Sequence, residues 1–361
     1  MIIMLTNERF PEISNYLAER GVSFLTDIRT EGRGAAIANT YFLDTGNKRY
    51  MIDAACGKER LKQIKNHLQN RHCDLLVTHS HLDHSANSGA AVKGKSRVFF
   101  HPRVEDKINN LRRNYTEITP AMVNAFGVRG FFGRTGMLSP AMINRVLFIQ
   151  KYMPRFFNHL LQLSSLILLR TNIGTIYTPQ NNVQFLKYDD RRELAFTGTE
   201  FLGWFLDDGI YALDTPGHQD DHLSFYVPDK RIMFAGDLVN FLNPNDILDG
   251  SIIDTHRGMK KMLQLAEAGG IDVLAVSHAL PVIGKEHVIS YIRSVIAEQD
   301  EIFDTVSAIV SSCSDKNDFE EIIKKIYAHQ SDLMKKVLRI NYPRSVSFID
   351  VYVYIYLREF S

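Results

Sequence analysis

Cysteine is scarce. The three present, Cys56, Cys73 and Cys313, lie far apart and form no C-x-x-C pair. They are too few for a disulfide framework and read as buried thiols of a protein in a reducing cytoplasm. Charge imbalance is absent as well: a formal net charge of +1 gives no whole-molecule reason to expect nucleic acid or an acidic membrane as partner. No stretch is apolar enough to span a bilayer. The best candidate, Phe156 to Leu169, is interrupted by Asn158, His159, Gln162 and two serines and closes at Arg170. Met1 to Glu8 lack the basic region, long apolar run and small-residue cleavage site of an export signal, so a cytoplasmic location is expected. Neither an internal repeat nor a low-complexity linker is found. What remains is an ordinary globular composition, 45% hydrophobic and 23% charged, in a 361-residue chain long enough for one large or two modest domains.

Against that background one segment is dense in chemistry. Thr78-His79-Ser80-His81-Leu82-Asp83-His84 follows the apolar run Leu75-Leu76-Val77, so a strand delivers three histidines and a carboxylate at a sheet edge. Packing is a poor explanation, because several polar groups would have to be desolvated together. Metal ligation is the sharper reading.

The surrounding chain alternates strand and helix. Ile37–Leu43 and Arg49–Asp53 read as two strands joined by the turn Asp44-Thr45-Gly46-Asn47-Lys48. Lys58 to Asn70 has helical period, with Leu61, Ile64 and Leu68 on one face, and leads to the strand Asp74–Val77. A short helix is expected from Ala86 and a strand over Arg97–Phe100, ending at His101. Strand character returns at Glu193–Thr199 and at Ile210–Asp214, which runs into Thr215-Pro216-Gly217-His218. A hairpin, Leu223–Val227 with Arg231–Ala235, ends in Gly236-Asp237. After a helix over Thr255–Ala268, the strand Val273–Val276 ends in Ser277-His278. Four strand ends therefore present His or Asp.

Between about Glu105 and Arg192 the alternation gives way to apolar and aromatic helical stretches containing Phe126, Phe131, Phe132, Met142, Phe148, Tyr152 and Phe156. Three readings stand for this segment: a helical unit packing its own core, a cap over the site that lines an apolar pocket, or a homodimer contact. His287 to Ser361 is largely helical by period, although Val346–Leu357 suits either helix or strand.

Taken together, His79-x-His81-x-Asp83-His84, Thr215-Pro216-Gly217-His218, Ala235-Gly236-Asp237 and Ser277-His278 resemble the metallo-β-lactamase superfamily of hydrolases. The resemblance covers roughly 36–101 and 193–278. It implies an α/β fold of the α+β type, a four-layer αββα sandwich whose core is formed by 1–104 and 193–286. The resemblance does not account for residues 105–192, a helical insertion for which a lid over the site is one of the three readings, or for 287–361, a helical appendage. It also implies that His79, His81 and His218 hold one metal ion, that Asp83, His84 and His278 hold a second, and that Asp237 bridges both. Asp83 and Asp237 are then the catalytic carboxylates. Zinc is the default for two divalent ions on such ligands, and iron or manganese is also accepted. A hydroxide between two cations would attack the substrate. His81 stands where the diiron branches of the superfamily have a glutamate, which favours hydrolysis over redox chemistry.

Four further groups have weaker readings. His222 is expected behind the ligands or at the substrate, and His101 in a structural or cleft-wall role. Asp53 is expected behind the metals. His256-Arg257 suits either a substrate anion or a solvated helix start. The near-neutral balance gives no support to a nucleic-acid phosphodiesterase. The apolar insertion favours a small-molecule acyl substrate, which points to a thioester, lactone or other ester. The alternatives are a diiron oxidoreductase, a phosphodiesterase, and a regulatory or binding protein of low turnover.

Overall fold

The computed structural model describes residues 10–360 except 27–36, 93, 109–110, 134–137, 180–181, 242–244, 317, 330, 338–340 and 343–345. The N-terminal octapeptide read for an export signal lies outside the described residues. Among the described residues no helix is long and apolar enough to cross a membrane.

The first sheet has six strands in the order β1 (Val22–Leu25), β2 (Thr40–Asp44), β3 (Arg49–Ile52), β4 (Asp74–Leu76), β5 (Val98–Phe100) and β6 (Val183–Phe185). β1, β2 and β3 pair antiparallel, and β3 through β6 pair parallel. The second sheet contains β7 (Arg192–Phe196), β8 (Thr199–Phe205), β9 (Tyr211–Asp214), β10 (Leu223–Val227), β11 (Ile232–Gly236), β12 (Val273–Val276) and β13 (Val282–Ile283), side by side in chain order.

Alternation along the strands sorts side chains into layers, because neighbouring residues of a strand point to opposite faces. Tyr41, Leu43, Tyr50, Ile52 and Leu76 meet Phe225, Ile232, Phe234 and Val273 between the two sheets. The intervening Phe42, Met51 and Leu75 face outward onto Leu61, Ile64 and Leu68 of the helix Lys58–Leu68. Met233, Ala235, Leu274 and Val276 face the opposite way, onto the helices Ile252–Glu267 and Lys285–Ser311. Helix, sheet, sheet, helix is the four-layer α/β sandwich expected from the sequence.

Several local details differ from the sequence reading. The helix Phe10–Ala18 and strand β1 precede the first expected strand. β8 is a seven-residue strand where only its predecessor was expected; its Gly203 lets the backbone of Ala212 approach to where a Cβ would lie 2.3 Å from the carbonyl oxygen. β6 brings the chain back into the first sheet ahead of residue 193; its three residues, two half-buried around the exposed Gln184, are too few to show a strand period in the sequence. Val346–Leu357 is mostly helix, within Phe348–Phe360.

The helices Leu111–Gly133, Pro140–Tyr152 and Pro154–Asn172 do not enclose a core of their own. Phe126, Phe131, Phe157 and Leu161 join Ile302, Val306, Ile322, Phe348 and Val353 of the C-terminal helices in a fourth hydrophobic cluster. Phe126 stacks on Phe319 with ring centroids 5.3 Å apart and meets the edge of Tyr354 at 6.0 Å. The cluster also takes in Ile247, from a loop that borders the histidines.

Candidate metal centre

The ends of β4, β9, β11 and β12 converge at one edge of the sandwich. β9, β11 and β12 run in the same direction, since β10 is antiparallel to both β9 and β11, and β11 pairs parallel with β12. The two sheets are stitched together there by the backbone: Leu223 N–H donates to Thr78 O at 2.7 Å and Asn39 N–H to Ser277 O at 2.7 Å. Gly236 makes the last turn of β11 possible, with φ of 56°, and a Cβ on it would lie 2.5 Å from His222 Nε2.

Ligand-type atoms gather in three overlapping groups: His79, His81 and His218; His79, His84 and Asp237; and Asp83, His84 and His278. In the first, His81 Nδ1 lies 3.0 Å from His79 Nε2 and 3.0 Å from His218 Nε2. In the third, Asp83 Oδ2 lies 3.5 Å from His84 Nε2 and 3.3 Å from His278 Nε2. Asp237 stands between them: Oδ2 is 3.4 Å from His218 Nε2 and 3.2 Å from His278 Nε2, and Oδ1 is 3.4 Å from His84 Nε2. All seven residues named from the sequence are thus brought together. His79, His84, His218 and Asp237 are buried, while the side chains of Asp83, His278 and His81 keep 20%, 18% and 15% of their exposure and mark the open side.

Three of the imidazoles, those of His79, His81 and His84, are oriented by their other nitrogen. His84 Nδ1 donates to Asp53 Oδ2 at 2.8 Å, and the same carboxylate accepts the Thr78 N–H at 2.8 Å and hydroxyl at 2.8 Å. With its hydroxyl proton given to Asp53, Thr78 accepts from His79 Nδ1 at 3.0 Å. His81 Nε2 donates to Asp246 Oδ2 at 2.7 Å. These partners leave His79 Nε2, His84 Nε2 and His81 Nδ1 as the lone-pair nitrogens facing inward.

The fit to metal ions is testable on these atoms. His84 Nε2 is fully buried with no hydrogen-bond partner in the structure, which is costly unless a cation meets its lone pair. Three imidazole nitrogens aimed at one another across 3.0 Å make poor mutual hydrogen bonds. They match an ion with bonds of about 2.0–2.1 Å, whose tetrahedral ligands stand roughly 3.4 Å apart. The donor set of imidazoles and carboxylates suits zinc, iron and manganese alike.

Electrostatics divide the cluster. Burial, helped by the neighbouring histidines, holds His79 well below its ordinary pKa and takes His218 down to about 4, so both are neutral ligands at pH 7. Burial works the same way on His278 but is overcome by Asp237 and Asp83, which push it up to about 10. His84 is raised against its burial by Asp237, Asp83 and Asp53. Burial would raise Asp237 and Asp83, yet His278 and His84 hold both carboxyls low. Without metal, the imidazolium proton of His278 therefore stands where a cation would bind.

The remaining candidates fall outside the ligand atoms. His222 accepts the Asp237 N–H at Nε2 (3.1 Å) and is bonded to Thr215 through Nδ1. Burial takes it down to about 3, a neutral ring that fixes the backbone of Asp237. His101 closes β5 with Nε2 3.5 Å from Asp214 and its ring against Trp204, a structural position. His256 and Arg257 engage Asp300 (2.9 Å) and Asp254 (2.6 Å), which leaves the solvated helix start as their role. Asp246 escaped the sequence reading, since it sits in an irregular loop with no spacing motif around it.

A family model described as the metallo-beta-lactamase superfamily matches residues 33–106. Hydroxyacylglutathione hydrolases of two Bartonella species are similar over 58 residues, with 34% identity for Bartonella tribocorum and 36% for Bartonella henselae. The match spans 16% of this chain and only 23% of the length of those curated relatives. In structure the chain resembles a metallo-beta-lactamase family protein from Thermus thermophilus (TM-score 0.51, 19% identity, 94% of this chain and 93% of that one). It also resembles the sec-alkylsulfatase Pisa1 from Pseudomonas sp. (TM-score 0.52, 14% identity, 90% of this chain and 47% of that one). At such identities the structural likeness concerns the fold alone. The two-sheet sandwich, the edge cluster and the family match agree: the chain is a metallo-β-lactamase-fold protein.

Proposed function

We propose that the chain is a dinuclear metal-dependent hydrolase acting on an acyl thioester, lactone or related ester that carries an apolar group. The observation that carries this reading is the convergence of the seven side chains on two adjoining ligand groups with Asp237 common to both sides. His79, His81 and His218 would hold one ion, Asp83, His84 and His278 the other, and Asp237 would span them. Two divalent cations held so close supply an acidified water and polarise a carbonyl oxygen. The chain's own part is to aim His79 Nε2, His84 Nε2 and His81 Nδ1 at the ions through Thr78, Asp53 and Asp246, to keep His79 and His218 neutral by burial, and to shut water out of all but the rim where Asp83, His81 and His278 are exposed. Asp83, at that rim, would take up and hand on the proton of an attacking water.

Two facts support the acyl substrate. The curated relatives that match part of the chain are named as hydrolases of a hydroxyacylglutathione. The helical segment also abuts the site: Lys107, at its start, bonds Asp220 at 2.6 Å and Asp249 at 2.7 Å, in the loops after His218 and Asp246. Its later helices leave Phe148, Tyr152, Met153, Phe156 and Leu163 exposed, an apolar surface of the kind an acyl chain can use. The test is turnover by metal-loaded protein on a panel of acyl-CoA thioesters, lactones and phosphodiesters, with His79→Ala and Asp237→Asn as controls. Thioester or lactone cleavage that both substitutions abolish is expected. Turnover unchanged in the variants would sink the assignment.

A further inference from the structure

The C-terminal helix Phe348–Phe360 lies outside the part of the chain that carries the ligands, yet its last turn reaches the site through a single loop. Arg358 spreads its guanidinium over three carbonyls of residues 247–250: Nη1 donates to Ile247 O at 3.1 Å and Leu248 O at 3.0 Å, and Nη2 to Gly250 O. The neighbouring Glu359 accepts the N–H groups of Ile252 (3.0 Å) and Ile253 (3.4 Å) at the start of the helix Ile252–Glu267. Two adjacent side chains thus grip both ends of the segment 247–253.

That segment is coupled to two ligands of one group. Asp246 Oδ2 accepts from His81 Nε2 at 2.7 Å, and its other oxygen is turned by the Leu248 N–H at 2.7 Å. Asp246 N–H donates to His218 O at 2.7 Å, and Ser251 N–H to Gly217 O at 2.7 Å. The fit admits no slack: a Cβ on Gly217 would lie 2.4 Å from the backbone nitrogen of Thr255. His81 is held through its ring and His218 through its main chain, both by the loop that Arg358 holds.

We infer that Arg358 is a positioning residue for the His79, His81 and His218 ligand group, acting through the loop 246–251 and Asp246. This rests on the metal-binding reading above and assigns the C-terminal helix a part in it. Arginine suits the task because its planar fork engages several acceptors at once, which a lysine cannot copy. Partners behind a metal ligand change ion affinity by about 10–100-fold when lost.

The experiment is a zinc titration against a competing chelator on the full chain, for the wild type, Arg358→Met, Asp246→Asn and the double variant. Each single change should weaken one of the two ions about tenfold or more and leave the other in place. The double variant should lose less than the sum of the two single losses, since both act through one loop. Unchanged binding in Arg358→Met, equal weakening of both ions, or additive losses in the double variant would overturn the inference. Should Arg358→Met not fold, Arg358→Lys keeps the charge, loses the fork and carries the same expectation. A wild type that takes up fewer than two ions defeats the dinuclear reading instead. The loop is then judged by amide hydrogen exchange at 246–251, where the inference requires protection in the wild type and its loss in the Arg358 variant.

Discussion

Asp53 occupies a left-handed backbone conformation, φ 58°, that costs a non-glycine residue on the order of 1 kcal/mol or more, and it does so fully buried. The return is a carboxylate that fixes Thr78 and, through Thr78 and directly, His79 and His84. Asp53→Asn keeps the shape but puts an amide NH₂ or a weaker acceptor against His84 Nδ1, which favours the tautomer with its proton on Nε2, facing the metal position. We expect the affinity for one ion to fall about 10–100-fold with little change in secondary structure, read by chelator competition. Undiminished affinity would show that His84 needs no such partner. At this scale the site was largely legible in the sequence, because His79 to His84 crowd into one turn after a strand and the other ligands sit at strand ends behind Pro-Gly, Gly or Ser. The groups behind them were less so. Asp53 and His222 could be placed only loosely, and Asp246 and Arg358 not at all, since their link to His81 is a matter of loop packing across more than a hundred residues of chain.

Among the elements, the helical segment and the C-terminal helices form one apolar body. The reading that the segment packs a core of its own gives way to a shared core, seen in Phe126 between Phe319 and Tyr354. Phe126→Ala should therefore cost about 3–5 kcal/mol of stability in denaturant unfolding, the range for removing a buried phenylalanine. A loss below about 1 kcal/mol would contradict the shared core. Helical period revealed that these stretches were helices but not what they pack against, because an apolar face does not name its partner. Strands were legible where alternation was clean, as in β2, β3, β10 and β11. They were missed where short or glycine-interrupted, as in β6 and β8.

Across the whole molecule, the sandwich brings into one edge a set of charges that only a bound cation or retained protons can balance. Without metal, the raised pKa of His278, about 10, means that its proton stabilises the fold most fully below the unfolded value near 6.5. That contribution is lost as pH rises through about 10. Asp83 and Asp237, held low by His278 and His84, act in the opposite sense, with stability present above about pH 4 and lost in acid. A metal ion must displace the His278 proton, so binding releases a proton and strengthens with pH. Calorimetric titration of the metal-free chain with zinc at pH 6 and pH 8, in buffers of different ionisation enthalpy, measures stoichiometry, affinity and proton release together. Two ions per chain, proton release on binding and higher affinity at pH 8 are the predicted result. One ion or none, or two bound with no proton release, would contradict it.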